Sequence, residues 1–159
     1  MGMLATAMVG MVLVGCSSPT ATPNYESRCQ DKGWADDIPG KECVALLALY
    51  DSTGGDDWKD RTGWLSSSSP CEWEGIGCAR GHVAAIWLDH NQLIGTIPPE
   101  LGNLSALETL RLWGNQLTGT IPPELGNLGA FKVLDLRDNQ LTGTIPPPLK
   151  RLCNTVPKC

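Results

Sequence analysis

Basic residues and histidines are scarce in this sequence. No Lys or Arg precedes Arg28, and the 159 residues carry 12 Lys and Arg against 17 Asp and Glu, a net charge of −5. A phosphate-binding surface needs the opposite balance, so no nucleic-acid partner is expected. His82 and His90 are the only histidines, which removes most metal-hydrolase and catalytic-triad chemistry. There is no G-x-S-x-G elbow, no phosphate loop and no Glu-flanked His pair. No metal site is expected either. Cys71 and Cys78 are too far apart for a C-x-x-C pair, and Asp51, Asp56, Asp57 and Asp60 lack the order of a calcium loop, reading instead as a solvated loop. The chain is therefore expected to be non-catalytic and to hold no cofactor. Aromatics make up only 6%, yet the 42% apolar content is enough for a packed core, and the length fits one domain better than two. Gly, Pro and Cys are plentiful at 18, 12 and 7. Seven cysteines in a chain this short point to an oxidising compartment.

Residues 1–15, MGMLATAMVGMVLVG, are apolar or small and uncharged. They are too short to cross a hydrocarbon layer of ~30 Å as a helix and read as a signal peptide. Leu13-Val14-Gly15-Cys16 resembles the lipobox of bacterial lipoproteins. That resemblance implies cleavage before Cys16, lipid on its sulfur and a membrane anchor, with two or more acyl chains holding stably. The expected address is then the cell envelope, at the outer membrane or the cell surface, with secretion as the alternative. Residues 16–28 read as a flexible tether of roughly 40 Å at full extension. Setting Cys16 aside leaves an even set: Cys29, Cys43, Cys71, Cys78, Cys153 and Cys159.

Self-similarity decides the fold. Segments starting at Val83, Leu107 and Phe131 superimpose without gaps at a 24-residue period, sharing LxxLxLxxNxLxGxIPxxL. The repeating Leu and Ile positions would stack inward from coil to coil. Asn91, Asn115 and Asn139 would turn their amides inward onto backbone groups of the bend. Gly95, Gly119 and Gly143 would permit tight backbone, and the Pro pairs at 98–99, 122–123 and 146–147 would keep the convex side extended. The pattern resembles the leucine-rich repeat, in its plant-type subfamily with G-x-I-P. The resemblance implies an α/β solenoid of three coils over 83–152, whose three parallel strands line a concave face.

A solenoid this short needs caps at both ends. Val44 to Tyr50 is helical in period and stops at Gly54-Gly55. Trp58, Trp64 and the C-x-W-x-G-I-x-C run of Cys71–Cys78 follow. These resemble the family's N-terminal cap, expected over 29–82, and Cys153 and Cys159 resemble its C-terminal capping pair, over 153–159. Proximity suggests the disulfides Cys71–Cys78, Cys153–Cys159 and Cys29–Cys43, among the many connectivities six cysteines allow. Asn103-Leu104-Ser105 would be a glycan acceptor in a eukaryote.

The expected function is recognition of a protein, peptide or glycan on the concave face, with a protein or peptide as the leading reading. A structural or adhesion role without a discrete ligand is the alternative. A third reading, ice binding, rests on Thr96, Thr118, Thr120, Thr142 and Thr144. Positions between the strand leucines point to solvent because strand side chains alternate. They give Ala85, Trp87, Asp89 and His90, then Thr109, Arg111 and Trp113, then Val133, Asp135, Arg137 and Asp138. Two cross-coil rows follow, Trp87-Arg111-Asp135 and Asp89-Trp113-Arg137. Trp and Arg are enriched at binding hot spots. The competing reading is a ladder that satisfies itself, with Arg stacked on Trp and weak surface ion pairs.

Overall fold

The computed structural model describes residues 24–153. The signal peptide, Cys16 and the Cys153–Cys159 pairing expected above lie outside the described residues. Helix α1 (Tyr25–Asp31) starts within the expected tether. The Asn24 side chain accepts the Ser27 N–H at 3.1 Å and so caps the helix. Helix α2 (Gly40–Ser52) is the ALLAL segment. It lacks a polar stripe because it is walled in on all sides, by α1, by aromatic rings and by the turn Pro99–Asn103, so Cys43 and Ala45 to Tyr50 are all buried. Thr53 ends α2 by donating its hydroxyl to Leu49 O at 2.6 Å.

Four of the six tryptophans form the cap's core. Trp34, Trp58, Trp64 and Trp73 join Tyr50 in one network with ring centroids 4.6 to 5.6 Å apart. The low aromatic content is thus concentrated where a short solenoid most needs bulk. Three of the four indole N–H groups find backbone carbonyls, Trp34 that of Ser67, Trp58 that of Thr53 and Trp64 that of Glu74, while that of Trp73 is buried without a partner. Disulfides Cys29–Cys43 and Cys71–Cys78 tie α1 to α2 and close the loop ahead of the sheet.

The concave sheet has four strands rather than the three expected. Strand β1 (Ile76–Ala79) pairs antiparallel with β2 (His82–Trp87), and β4 (Thr109–Arg111) and β6 (Val133–Asp135) follow in parallel, in the order β1-β2-β4-β6. Arg80 and Gly81 both take positive φ, 55° and 73°, as a two-residue hairpin turn requires. The cap thereby donates an edge strand to the repeats. A second small sheet, β3 (Ile94–Thr96) beside β5 (Gln116–Thr118), forms just after each bend and was not expected.

The proline pairs divide their work, which corrects the extended convex side. Pro98, Pro122 and Pro146 are extended, but Pro99, Pro123 and Pro147 open 3-10 turns (Pro99–Asn103, Pro123–Asn127, Pro147–Leu149). A first helical position needs no N–H and suits the fixed φ of proline. Inside, Leu93, Leu101, Leu104, Leu107, Leu110, Leu112, Leu117 and Leu125 are fully buried, while Leu141 and Ile145 of the third coil are half-buried. A final short helix, α3, covers Lys150–Cys153.

Candidate functional site

Strand alternation sets the concave face. Ile86, Leu110 and Leu134 stack inward, and the next residues, Trp87, Arg111 and Asp135, are register partners across β2, β4 and β6. The second row stays in step beyond the strands, because His90 N–H donates to Trp113 O and Gly114 N–H to Arg137 O, both at 3.0 Å. Both rows therefore exist as backbone alignments. Their side chains, however, pair across and within the rows. Arg111 reaches back to Asp89 at 2.6 Å. Arg137 grips Asp135 of its own coil through Nε at 2.7 Å and Nη2 at 2.6 Å.

The two tryptophans of the face differ. The Trp113 ring is half-buried between His90, with centroids 3.9 Å apart, and the Arg137 guanidinium at 5.6 Å. His90, expected as a surface contact, has φ 51° and lays its imidazole where a side chain at position 114 would stand. A Cβ on Gly114 would come within 2.3 Å of His90 Nδ1. Trp87 is 47% exposed, and its ring lies over Gly77 of β1, which leaves it room by having no side chain. Ala85, expected to face solvent, is buried because it sits at the same Gly77 beside that ring. Thr109 is half-buried, and Val133 and Asp138 are exposed.

A cleft of about 250 Å³ opens where this face meets the cap, lined by Lys59, Asp60, Glu74, Trp87, Asp89 and His90 among others. Lys59, Asp60 and Glu74 carry no periodic signal in the sequence and were not anticipated. Only their approach to β2 in three dimensions brings them to the site. Among the described residues no three His, Cys, Asp or Glu side chains gather to hold a metal ion.

Two carboxylates of the face are pushed in opposite directions. Burial raises the Asp89 pKa against the opposing pull of Arg111, and Asp89 Oδ1 is buried without a hydrogen-bond partner. The Arg137 hydrogen bond lowers the Asp135 pKa. A carboxylate with a depressed pKa stabilises the fold above its ordinary value, and that share is lost as pH falls through the folded value. Asp89 has the reverse sign: its ionised form costs stability at neutral pH, and acidification through its raised pKa recovers it. In a carboxyl carbon NMR titration, Asp89 is expected to protonate above the ordinary 3.8 and Asp135 below it. The opposite order would contradict the pairing described here.

Comparison with known proteins agrees with this architecture. Residues 40–79 match the Leucine rich repeat N-terminal domain, and residues 83–104, 106–128 and 130–152 each match the Leucine Rich Repeat. The chain belongs to the plant-type leucine-rich repeat proteins, with their N-terminal cap followed by repeats. It is similar to the Brassinosteroid LRR receptor kinase BRL3 of Oryza sativa subsp. japonica, 47% identical over 74 residues, which is 44% of this chain and 6% of that protein. The LRR ectodomain of the receptor kinase SOBIR1 from Arabidopsis thaliana superimposes with a TM-score of 0.59 at 28% identity, covering 73% of this chain and 63% of that one. The LRR ectodomain of GASSHO1/SCHENGEN3 from Arabidopsis thaliana, in complex with CASPARIAN STRIP INTEGRITY FACTOR 2, does so with a TM-score of 0.53 at 33% identity, covering 69% and 14%. The chain spans a tenth or less of the length of the curated relatives it matches.

These relatives overturn one expectation. A bacterial, lipid-anchored envelope protein was inferred from the four residues around Cys16. The matched proteins are plant receptor kinases, and the superimposed domains are their LRR ectodomains. The similarity points to a plant-type cell-surface or secreted setting. A lipobox is a short pattern of small and apolar residues, far less specific than three repeats in register.

Proposed function

We propose that this domain is a non-catalytic recognition module that binds a protein or peptide through the concave face, using Trp87, Asp89, His90, Arg111, Trp113, Asp135 and Arg137. The observation that carries this reading is Trp87. The four cap tryptophans are buried and Trp113 is half-buried, whereas Trp87 stands 47% exposed at the mouth of the face. An exposed indole among fixed, paired charges offers apolar area with little ordering cost, as binding hot spots do. The likeness to GASSHO1/SCHENGEN3, whose ectodomain was crystallised with a bound factor, supports the same class of function. The ice-binding alternative is weaker, because Thr118 and Thr142 donate their hydroxyls to Gly95 O and Gly119 O, both at 3.1 Å.

Trp87→Ala is the cleaner probe of the two tryptophans, because Trp113 is wedged between His90 and Arg137 and its loss would disturb the fold. We expect Trp87→Ala to leave the melting temperature within about 2 °C, as surface changes do. Capture of a partner from a cell-surface extract should fall at least tenfold, the effect of losing an anchor worth about 1.4 kcal/mol. Undiminished capture would remove the concave face as the binding site.

A further inference from the structure

We propose that the cleft beside Trp87 is a seat for a basic side chain, an arginine or lysine that the ligand presents, stacked on the indole and held by the carboxylates of the cap rim. This rests on the concave-face reading above and names the chemistry that face recognises first. Most charges of the face are already committed: Arg111 to Asp89 and Arg137 to Asp135. Trp113 is likewise covered by His90 and Arg137. The uncommitted groups collect at the N-terminal end of the sheet.

There the Trp87 ring rests over Gly77, and the half-exposed Trp87 lines a cleft of about 250 Å³. Glu74 stands on the rim in a fixed place. Its N–H donates to Thr62 O at 2.9 Å, its C=O accepts the Trp64 indole N–H at 2.9 Å, and its exposed carboxylate makes no ion pair among the described residues. Asp60 lies beside it, with one carboxylate oxygen accepting the Thr62 N–H, a bond that holds its pKa low and keeps it ionised. Asp89 is neutralised by Arg111, and its other oxygen is buried, so it adds no free charge to the cleft. Against Glu74 and Asp60, Lys59 is the one lysine or arginine among the residues that line the cleft. The cleft thus keeps an excess of negative charge next to an aromatic face, which is the combination that attracts a guanidinium or ammonium group. A neutral sugar would stack on the ring and donate hydroxyls to the acids, but it would lack the charge attraction that a cation gains there.

The test uses the full chain and small probes. Nα-acetyl-arginine amide, Nα-acetyl-glutamine amide and methyl β-glucoside are titrated separately while the indole N–H resonance of Trp87, assigned with Trp87→Phe, is followed by NMR. The arginine probe should shift that resonance saturably, on the order of tenfold more tightly than the glutamine probe. Glu74→Gln should weaken it several-fold, as should raising salt. No saturable shift with the arginine probe, an equal response to the glutamine probe or the glucoside, or full binding in Glu74→Gln would overturn the proposal. Its failure is separable from failure of the concave-face reading. If Trp87→Ala loses the partner while the arginine probe leaves Trp87 unmoved, the face binds but not through a basic side chain. If the probe binds and Trp87→Ala still captures the partner, the seat stands and the face does not.

Discussion

Replacing Asn115 by alanine should cost about 4 kcal/mol of unfolding free energy, a large share of the roughly 5–15 kcal/mol available to a domain. The residue is 7% exposed, and its side chain makes four bonds of 3.1 Å or less to the main chain of the bend. Its Oδ1 accepts the N–H groups of Asn91 at 2.9 Å and Leu93 at 3.1 Å, and its Nδ2 donates to the carbonyls of Leu88 and Leu112, both at 2.8 Å. Truncation leaves two donors and the Leu88 carbonyl unpaired where the chain turns through the core, at about 1–3 kcal/mol for each buried group left unsatisfied, while the Leu112 carbonyl keeps the amide of Asn139. Water can reach part of that set, which keeps the sum near the lower end. Asn139 makes the same kind of bonds, to Leu117 N–H and to the carbonyls of Leu112 and Leu136, but is only half-buried. Asn139→Ala should therefore cost about half as much. Equilibrium urea unfolding of both variants checks the magnitudes and their order. A cost below about 1.5 kcal/mol for Asn115→Ala would show that these bonds exchange freely with water.

Asn91 shows how far the repeat pattern could be read. Its column in the alignment predicts an amide turned inward, and it is buried, but its partners are in the cap. Its Oδ1 accepts Asp60 N–H at 2.6 Å and its Nδ2 donates to Asp60 O at 2.8 Å. The first rung of the ladder thus fastens the cap loop to the repeats. Wherever one coil packs on an identical coil, a residue's neighbours are set by the period, and the inward Leu, the Asn columns and the two surface rows were legible for that reason. Legibility stopped where the neighbours are not repeated. Strand β1 is read as a cysteine motif until its partner across Arg80-Gly81 is seen. β3 and β5 are three residues long and include a Gly or a Gln, too short for alternation to show. On the concave face the rows were visible but their pairings were not. Arg111 can reach either coil, and which acid it meets is settled by the rotamer and by burial of Asp89. The position of His90 required knowing that Gly114 leaves a space.

The seam between cap and repeats contains a residue that no pattern marked. Glu42 lies in the first turn of α2, where an acid is ordinary because it faces the positive end of the helix dipole, so it reads as a surface residue. It is instead completely buried. One carboxylate oxygen accepts Val83 N–H at 2.8 Å and the other meets His82 Nδ1 at 2.8 Å, both at the head of β2. One side chain therefore joins the cap helix to the first strand of the solenoid. Glu42→Ala removes both bonds and leaves Val83 N–H, whose side chain is fully buried, without a partner. Hydrogen bonds to a charged group are worth about 1.5–3 kcal/mol each. The Val83 bond should contribute in full and the His82 bond less, since that imidazole is 42% exposed, for a loss of about 3 kcal/mol. Glu42→Gln keeps one acceptor for Val83 and removes the buried charge, so it should cost less than half as much. His82→Ala should cost under about 1 kcal/mol. Urea unfolding gives the three values. Hydrogen exchange at Val83 gives a readout that general destabilisation does not, because its N–H should lose protection in Glu42→Ala beyond the change at Leu110 in the next coil. Equal changes at Val83 and Leu110, or a loss no greater in Glu42→Ala than in His82→Ala, would mean that the cap is held to the repeats by its apolar contacts alone.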